Sequence, residues 1–247
     1  MSYEYVYGFQ PILEILKAER REVFELYHSS RNFDAVSRSL IEKAKKRGLS
    51  LKEVSKEKLS ELSAQALHQG LVLKTEAYPY VDEGFLIEQM RGRQNLFILI
   101  LDQIQDPQNL GAILRTAHCA GVDAVFIPER RACEITPLVQ KVSAGASEYL
   151  KISLAKNLAR LIDFLKEFPV WVYGACAEAK AAYTDLDYSG SVAWVMGNEG
   201  EGLRSLVKQK CDALVSIPLR GRIDSLNVSV ATGILLYEVL RQRVLKK

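Results

Sequence analysis

The sequence predicts an α/β fold: an open, mostly parallel β-sheet with helices on both faces, preceded by a smaller α/β unit. Three observations lead there. Five short, nearly continuous apolar runs, NLFILILD (95–102), DAVFIP (123–128), VWVYGA (170–175), VAWVMG (192–197) and ALVSIP (213–218), read as strands covered on both faces, the mark of a parallel sheet. Helical segments separate them, so strand and helix alternate. Finally, 48% of the 247 residues are hydrophobic, enough for a sizeable core in one or two domains.

In chain order, PILEILKAER (11–20) reads as a helix with Pro11 suited to its first turn. VFELYHSS (23–30) reads as a strand. DAVSRSLIEKAKKRG (34–48) is an amphipathic helix with Gly48 as its C-cap. LSLKEVS (49–55) and GLVLKTEAY (70–78) are strand-like, with KEKLSELSAQA (56–66) between them. Residues 1–76 form one small domain on this reading, and 77–94, rich in polar and turn residues, form a linker or short connecting helix. Residues 95–247 form the larger domain. Its helices are NLGAILRTAHCAG, PLVQKVSAGA, NLARLIDFLKEF and LRSLVKQK, followed by an amphipathic C-terminal helix from Ser225 to Arg243.

Bulk properties exclude little. The net charge of +3 suits a mixed, solvated surface, and a nucleic-acid binder would need its basic residues clustered. Cys119, Cys133, Cys176 and Cys211 form no C-x-x-C pair, which argues against a zinc or disulfide framework and for reduced thiols in the cytoplasm. The start, MSYEYVYGFQPILEIL, is not read as a signal peptide, and no apolar run has the length of a membrane span.

Ligands of open parallel sheets bind beyond the carboxyl ends of the strands. Three loops there stand out. After strand 95–102, a turn with Pro107 leads into a helix with Asn109 near its start, where asparagine caps well, and with Arg115 conspicuous among apolar neighbours. VMGNEGEGL (195–203) runs from a buried strand into G-x-x-G-x-G, which is neither the dinucleotide fingerprint nor a P-loop. Its Glu199 and Glu201 would repel a phosphate, so a neutral or cationic ligand fits better. IPLRGRIDSLNVSVATG (217–233) crowds Arg220, Arg222, Asp224, Ser225 and Asn227 around one helix start. Capping by Asp224 or Ser225 would leave Asn227 spare. The two arginines also suit an RNA phosphate.

Together the three segments resemble the three motifs of the SpoU (TrmH-type) family of RNA 2′-O-ribose methyltransferases, part of the SPOUT class. The resemblance covers about 95–243. The N-terminal part, with His68-Gln69-Gly70 near its end, resembles that family's RNA substrate-binding domain, similar in fold to the ribosomal protein L30e type. The full-length arrangement is similar to that of bacterial 23S rRNA guanosine-2′-O-methyltransferases. The resemblance implies a C-terminal domain tied in a deep trefoil knot, a homodimer, and S-adenosylmethionine as cofactor. It implies cofactor contacts from Gly197, Ile217 and Leu226, with Leu219 nearby, and active-site positions at Asn109, Arg115, Glu199, Ser225 and Asn227.

The implied reaction transfers a methyl group to a ribose 2′-hydroxyl, with no metal. Arg115 matches the family's arginine proposed to activate that hydroxyl. A free arginine stays protonated, so electrostatic stabilisation of the developing oxyanion is physically easier than a role as base. Two alternatives carry different signatures. A non-catalytic RNA-binding homologue would have lost Arg115, Glu199 or Asn227, and all three are present. A tRNA methyltransferase of this family tends to carry basic terminal extensions, whereas this chain has a folded domain before the catalytic one, which favours rRNA.

Overall fold

The computed structural model describes residues 2–29, 35–198 and 200–245. In chain order the elements are β1 (Tyr3–Tyr7), α1 (Phe9–Ala18), β2 (Val23–His28), α2 (Ala35–Lys46), β3 (Ser50–Glu53), α3 (Lys56–Leu62) and β4 (Leu71–Glu76). Then come α4 (Glu83–Met90), β5 (Phe97–Leu101), α5 (Pro107–Ala120), β6 (Ala124–Pro128), α6 (Pro137–Val142), β7 (Ile152–Ala155), α7 (Leu158–Lys166) and β8 (Val170–Ala175). The last are β9 (Ala181–Ala182), β10 (Ser191–Met196), α8 (Ser205–Lys210), β11 (Ala213–Ser216) and α9 (Val228–Leu245). They form two compact units, 1–79 with 134–149, and 80–133 with 150–247.

The first unit is built on a four-stranded sheet of order β1-β4-β2-β3. β4 pairs antiparallel with β1 and β2, and β3 joins β2 in parallel. Side chains alternate along β4: Leu71 and Leu73 pack with Val6, Ile12, Ile15 and Leu26, while Val72 faces Tyr7 and Leu59 on the other side. Gly48 stands at φ +71° past the end of α2, and the Leu49 amide donates to the Ala44 carbonyl at 3.1 Å, closing the helix as the sequence predicts.

The stretch 77–94, read as a linker or short connecting helix, holds α4, whose Leu86 and Met90 are buried in the core of the second unit. One boundary differs from the sequence reading. Residues 134–149, read as part of the larger domain, belong to the first unit. The reason is a buried polar network. The Arg21 guanidinium, with a side chain 0% exposed, donates to Gln140 Oε1 at 2.6 Å and Glu148 Oε1 at 2.7 Å, and pairs with Glu4. Gly145 fits against Glu14 so closely that a Cβ would lie 2.6 Å from the Glu14 Cβ.

The second unit carries a seven-stranded sheet of order β7-β6-β5-β10-β8-β11-β9, parallel at every pairing. Ile98, Ile100, Phe126, Val172 and Val195 meet α4, α7 and α8 on one face. α9 packs along α5 and touches β10. All four cysteines are free thiols. Among the described residues, no helix is long and apolar enough to cross a membrane.

Candidate active site at the carboxyl edge of the parallel sheet

Because every strand of the larger sheet runs the same way, all its carboxyl ends open onto one edge. Three chain segments meet there. β5 is followed at once by Asp102, which is wholly buried. Its amide donates to the Met196 carbonyl at 2.7 Å, and its carboxylate accepts from the Arg204 amide at 3.1 Å and from Arg204 Nε at 2.7 Å. One buried charge thus ties the end of β5 to the end of β10 and to the residue after the glycine loop.

The loop itself closes on its own backbone. Asn198 and Gly202 exchange amide–carbonyl bonds of 3.1 and 2.9 Å, and Asn198 Oδ1 accepts from the Gly200 amide at 2.8 Å. Asn198 Nδ2 donates to the Gln103 carbonyl at 3.2 Å. Gly202 sits at φ +67°, which glycine adopts without strain. At Gly197 a Cβ would lie 2.2 Å from the Gly202 carbonyl carbon, so no other residue fits. The glycines serve the closure of this loop. Glu199, expected in the active site, lies outside the described residues.

The helix starts divide their work differently from the sequence reading. Asp106 caps α5, accepting from the Gln108 amide at 3.1 Å and the Asn109 amide at 3.3 Å. That leaves the Asn109 side chain, 8% exposed, for another purpose: its Oδ1 accepts from Asn227 Nδ2 at 2.8 Å. Asn227 is the cap of α9, where its Oδ1 accepts from the Ser229 and Val230 amides at 3.0 and 3.3 Å. Asp224 and Ser225 precede the helix in an exposed loop. One amide therefore starts the last helix and links it to α5.

Two adjoining cavities result. The first, about 160 Å³, is walled mainly by apolar groups and backbone and includes Gly197, Ile217, Leu219, Ser225 and Leu226. Among the described residues no lysine or arginine lines it, and Asp224 contributes a carboxylate to its wall. That environment suits a neutral or cationic ligand. The second, about 150 Å³, is polar, lined by Gln103, Asp106 and Asn109, and shares Asn198 and Val228 with the first. The structure thus gathers the four expected cofactor positions and Ser225 on one cavity and bonds Asn109 to Asn227. Arg115 lines neither cavity; it is exposed, farther along α5. Asp102, Asp106 and Asn198 were not singled out from the sequence. A lone aspartate closing the run LFILIL was the available signal, because a charge buried at a strand end needs a partner.

Comparison with known proteins matches this architecture. The family model described as the SpoU rRNA Methylase family covers residues 96–237, and the model for RNA 2′-O ribose methyltransferase substrate binding covers 5–81. The 23S rRNA (guanosine-2′-O-)-methyltransferase RlmB of Coxiella burnetii is 43% identical over 96% of this chain and 95% of its own. Its namesake from Shewanella oneidensis is 39% identical over 96% of this chain and 97% of its own. The AdoMet-bound rRNA methyltransferase from Sinorhizobium meliloti has a TM-score of 0.80 at 25% identity, covering 97% of this chain and 87% of that one. With the first model spanning more than half of its length, the chain belongs to the SpoU rRNA methylase family.

Proposed function

We propose that this chain transfers a methyl group from S-adenosylmethionine to the 2′-hydroxyl of a guanosine in 23S rRNA. The observation that carries the reading is the pair of adjoining cavities built from the three motif segments, one mainly apolar and, among the described residues, without a cation on its wall, the other lined mostly by polar side chains. Gly197, Ile217, Leu219 and Leu226 would hold the cofactor, which when bound supplies an electrophilic sulfonium methyl. The absence of lysine and arginine from that wall fits a ligand bearing positive charge.

The chain's own residues supply position and charge. Asn109 and Asn227 hold each other through one hydrogen bond, so the polar cavity keeps its shape without a ligand. Ser225 offers a hydroxyl on the wall between loop and helix. In the role that the family resemblance implies, Arg115, which lines neither cavity, would contribute a permanent cation for the oxyanion that develops on the ribose oxygen, and Glu199 would orient it. Domain 1–76 would select the RNA, in keeping with the substrate-binding model over 5–81.

The reading includes the trefoil knot that the family resemblance implies, a homodimer and a cytoplasmic location. The four free thiols suit a reducing compartment. For the homodimer, α9 leaves Val230, Tyr237 and Val244 exposed at seven-residue spacing, an apolar stripe that a second copy would cover. The mass by light scattering checks this, and a monomer at micromolar concentration would overturn it.

Gly197→Ala is expected to lower cofactor affinity at least about tenfold, because the added methyl forces the 198–202 loop off β10, at a stability cost of about 1–3 kcal/mol. Calorimetric titration with S-adenosylmethionine measures it. The function itself is tested by tritium transfer from labelled S-adenosylmethionine to rRNA and tRNA from a strain lacking this protein, with the modified nucleotide mapped. Label at one guanosine 2′-hydroxyl of 23S rRNA is the expected result. Label on tRNA alone overturns the substrate, and no label on either overturns the activity.

A further inference from the structure

We propose that a separate basic cavity, at the carboxyl ends of β6 and β7, binds phosphates of the RNA strand beside the methylated nucleotide. The proposal rests on the RNA-methylating reading above and deepens it. The cavity is about 560 Å³ and shares no lining residue with the two cavities of the candidate active site. Arg130, Arg131, Lys156 and Arg204 line it against a single carboxylate, Glu129. Arg204 is already balanced by Asp102, which leaves Arg130, Arg131 and Lys156 against Glu129, a local excess of positive charge that a net charge of +3 does not require.

Two features bear on how the cations are presented. Arg204 is anchored through its amide and Nε to the buried Asp102 carboxylate, yet its side chain remains 43% exposed at the cavity wall. Arg131 has φ +60°, a left-handed conformation that an L side chain adopts only at a cost. The loop after β6 therefore presents its arginine from a backbone geometry that glycine would adopt more easily.

Position supplies the connection to RNA. In the sheet order, β6 and β7 lie on one side of β5, and β10, β8 and β11, whose ends carry the apolar cavity, lie on the other. All run parallel, so both cavities open on the same edge, and at about 4.8 Å per strand step β6 and β7 stand about 10–15 Å from β10. That is a few nucleotides along a strand whose ribose occupies the polar cavity. Arginine forks match phosphate oxygens bidentately, and such contacts fix register without reading sequence. The motif that holds the cofactor and the cavity that would hold the strand are joined through one residue pair, Asp102 and Arg204.

Arg131→Gly tests this with the fold protected, since glycine takes the same backbone angle without strain. The second variant is Arg130→Ala combined with Lys156→Ala. The probe is unmethylated 23S rRNA from a strain lacking this protein, with the full-length enzyme. For the double variant the KM for rRNA is expected to rise roughly tenfold or more. The slope of log affinity against log salt should fall by about 0.7–0.9 per lost phosphate contact. Both variants should keep kcat at saturating rRNA, S-adenosylmethionine affinity and melting temperature. Unchanged KM and salt slope in both variants would overturn the proposal, leaving an acidic protein surface as the partner of this patch. Should the wild type transfer no methyl to rRNA, the function reading fails by itself. Filter binding of the same rRNA to wild type and variants then still decides the phosphate site.

Discussion

Replacing Arg115 by alanine is expected to lower methyl transfer by about 10²–10³-fold or more, with S-adenosylmethionine binding and melting temperature nearly unchanged. The side chain is exposed on α5 and lines neither cavity, so its removal leaves no void in the core and no gap in the cofactor wall. Alanine is also the better helix former, which keeps α5 intact. What is lost is a fixed positive charge for the oxyanion, and such a charge acts on kcat. Arg115→Lys separates the two roles an arginine has here. Lysine keeps the charge without the planar fork, so partial recovery of kcat identifies electrostatic stabilisation, and no recovery identifies bidentate positioning. A drop in cofactor affinity in Arg115→Ala would instead make the residue structural and sink its assignment to the reaction.

Much of the fold was legible because its signals are local. Strands such as NLFILILD are buried on both faces, so they read as unbroken apolar runs, and the five runs named from the sequence are β5, β6, β8, β10 and β11. β1, β7 and β9 escaped notice. β9 has two residues, too few for a pattern, β7 is only ISLA between Lys151 and Lys156, and β1 is YEYVY, whose partner β4 lies more than sixty residues away. The placement of 134–149 was not legible either. Nothing in PLVQKVSAGASEY announces that Gln140 and Glu148 meet Arg21, because the pairing depends on contacts over a hundred residues apart. At the site, residue identities were readable but the division of labour was not. Asn109 reads as a cap until Asp106, three residues earlier, is seen to do that work. Asn227 reads as spare until it is seen to cap α9 with its oxygen and bond Asn109 with its nitrogen.

The Arg21 network carries the largest expected stability effect. Arg21→Ala should destabilise the first unit by about 3–5 kcal/mol, because it leaves Glu148, with a side chain 1% exposed, as a buried charge without its cation. At the usual scaling for a unit of this size that is a fall of roughly 12–40 °C in its melting temperature, readable by calorimetry. Burial already pushes the Glu148 carboxyl above its ordinary value, more than Arg21 and Arg20 pull it down. A carboxyl raised in the folded state holds its proton more firmly there than in the unfolded chain, so its contribution to stability is lost as pH rises through the folded value. Removing Arg21 raises that value further. The deficit of Arg21→Ala should therefore be greatest at neutral pH and shrink as the pH is lowered toward the ordinary carboxylate range. The network is also incompletely satisfied: Arg21 Nε and Glu148 Oε2 have no hydrogen-bond partner among the described residues. Apolar replacement of Arg21 and its fully buried carboxylate partner, Arg21→Met with Glu148→Leu, should accordingly recover most of the loss and weaken its pH dependence, since Glu4 keeps the Gln140 Nε2 donor at 2.7 Å. A double variant as unstable as the single one would mean that shape at this site, rather than the buried charge, holds 134–149 to the rest of its unit.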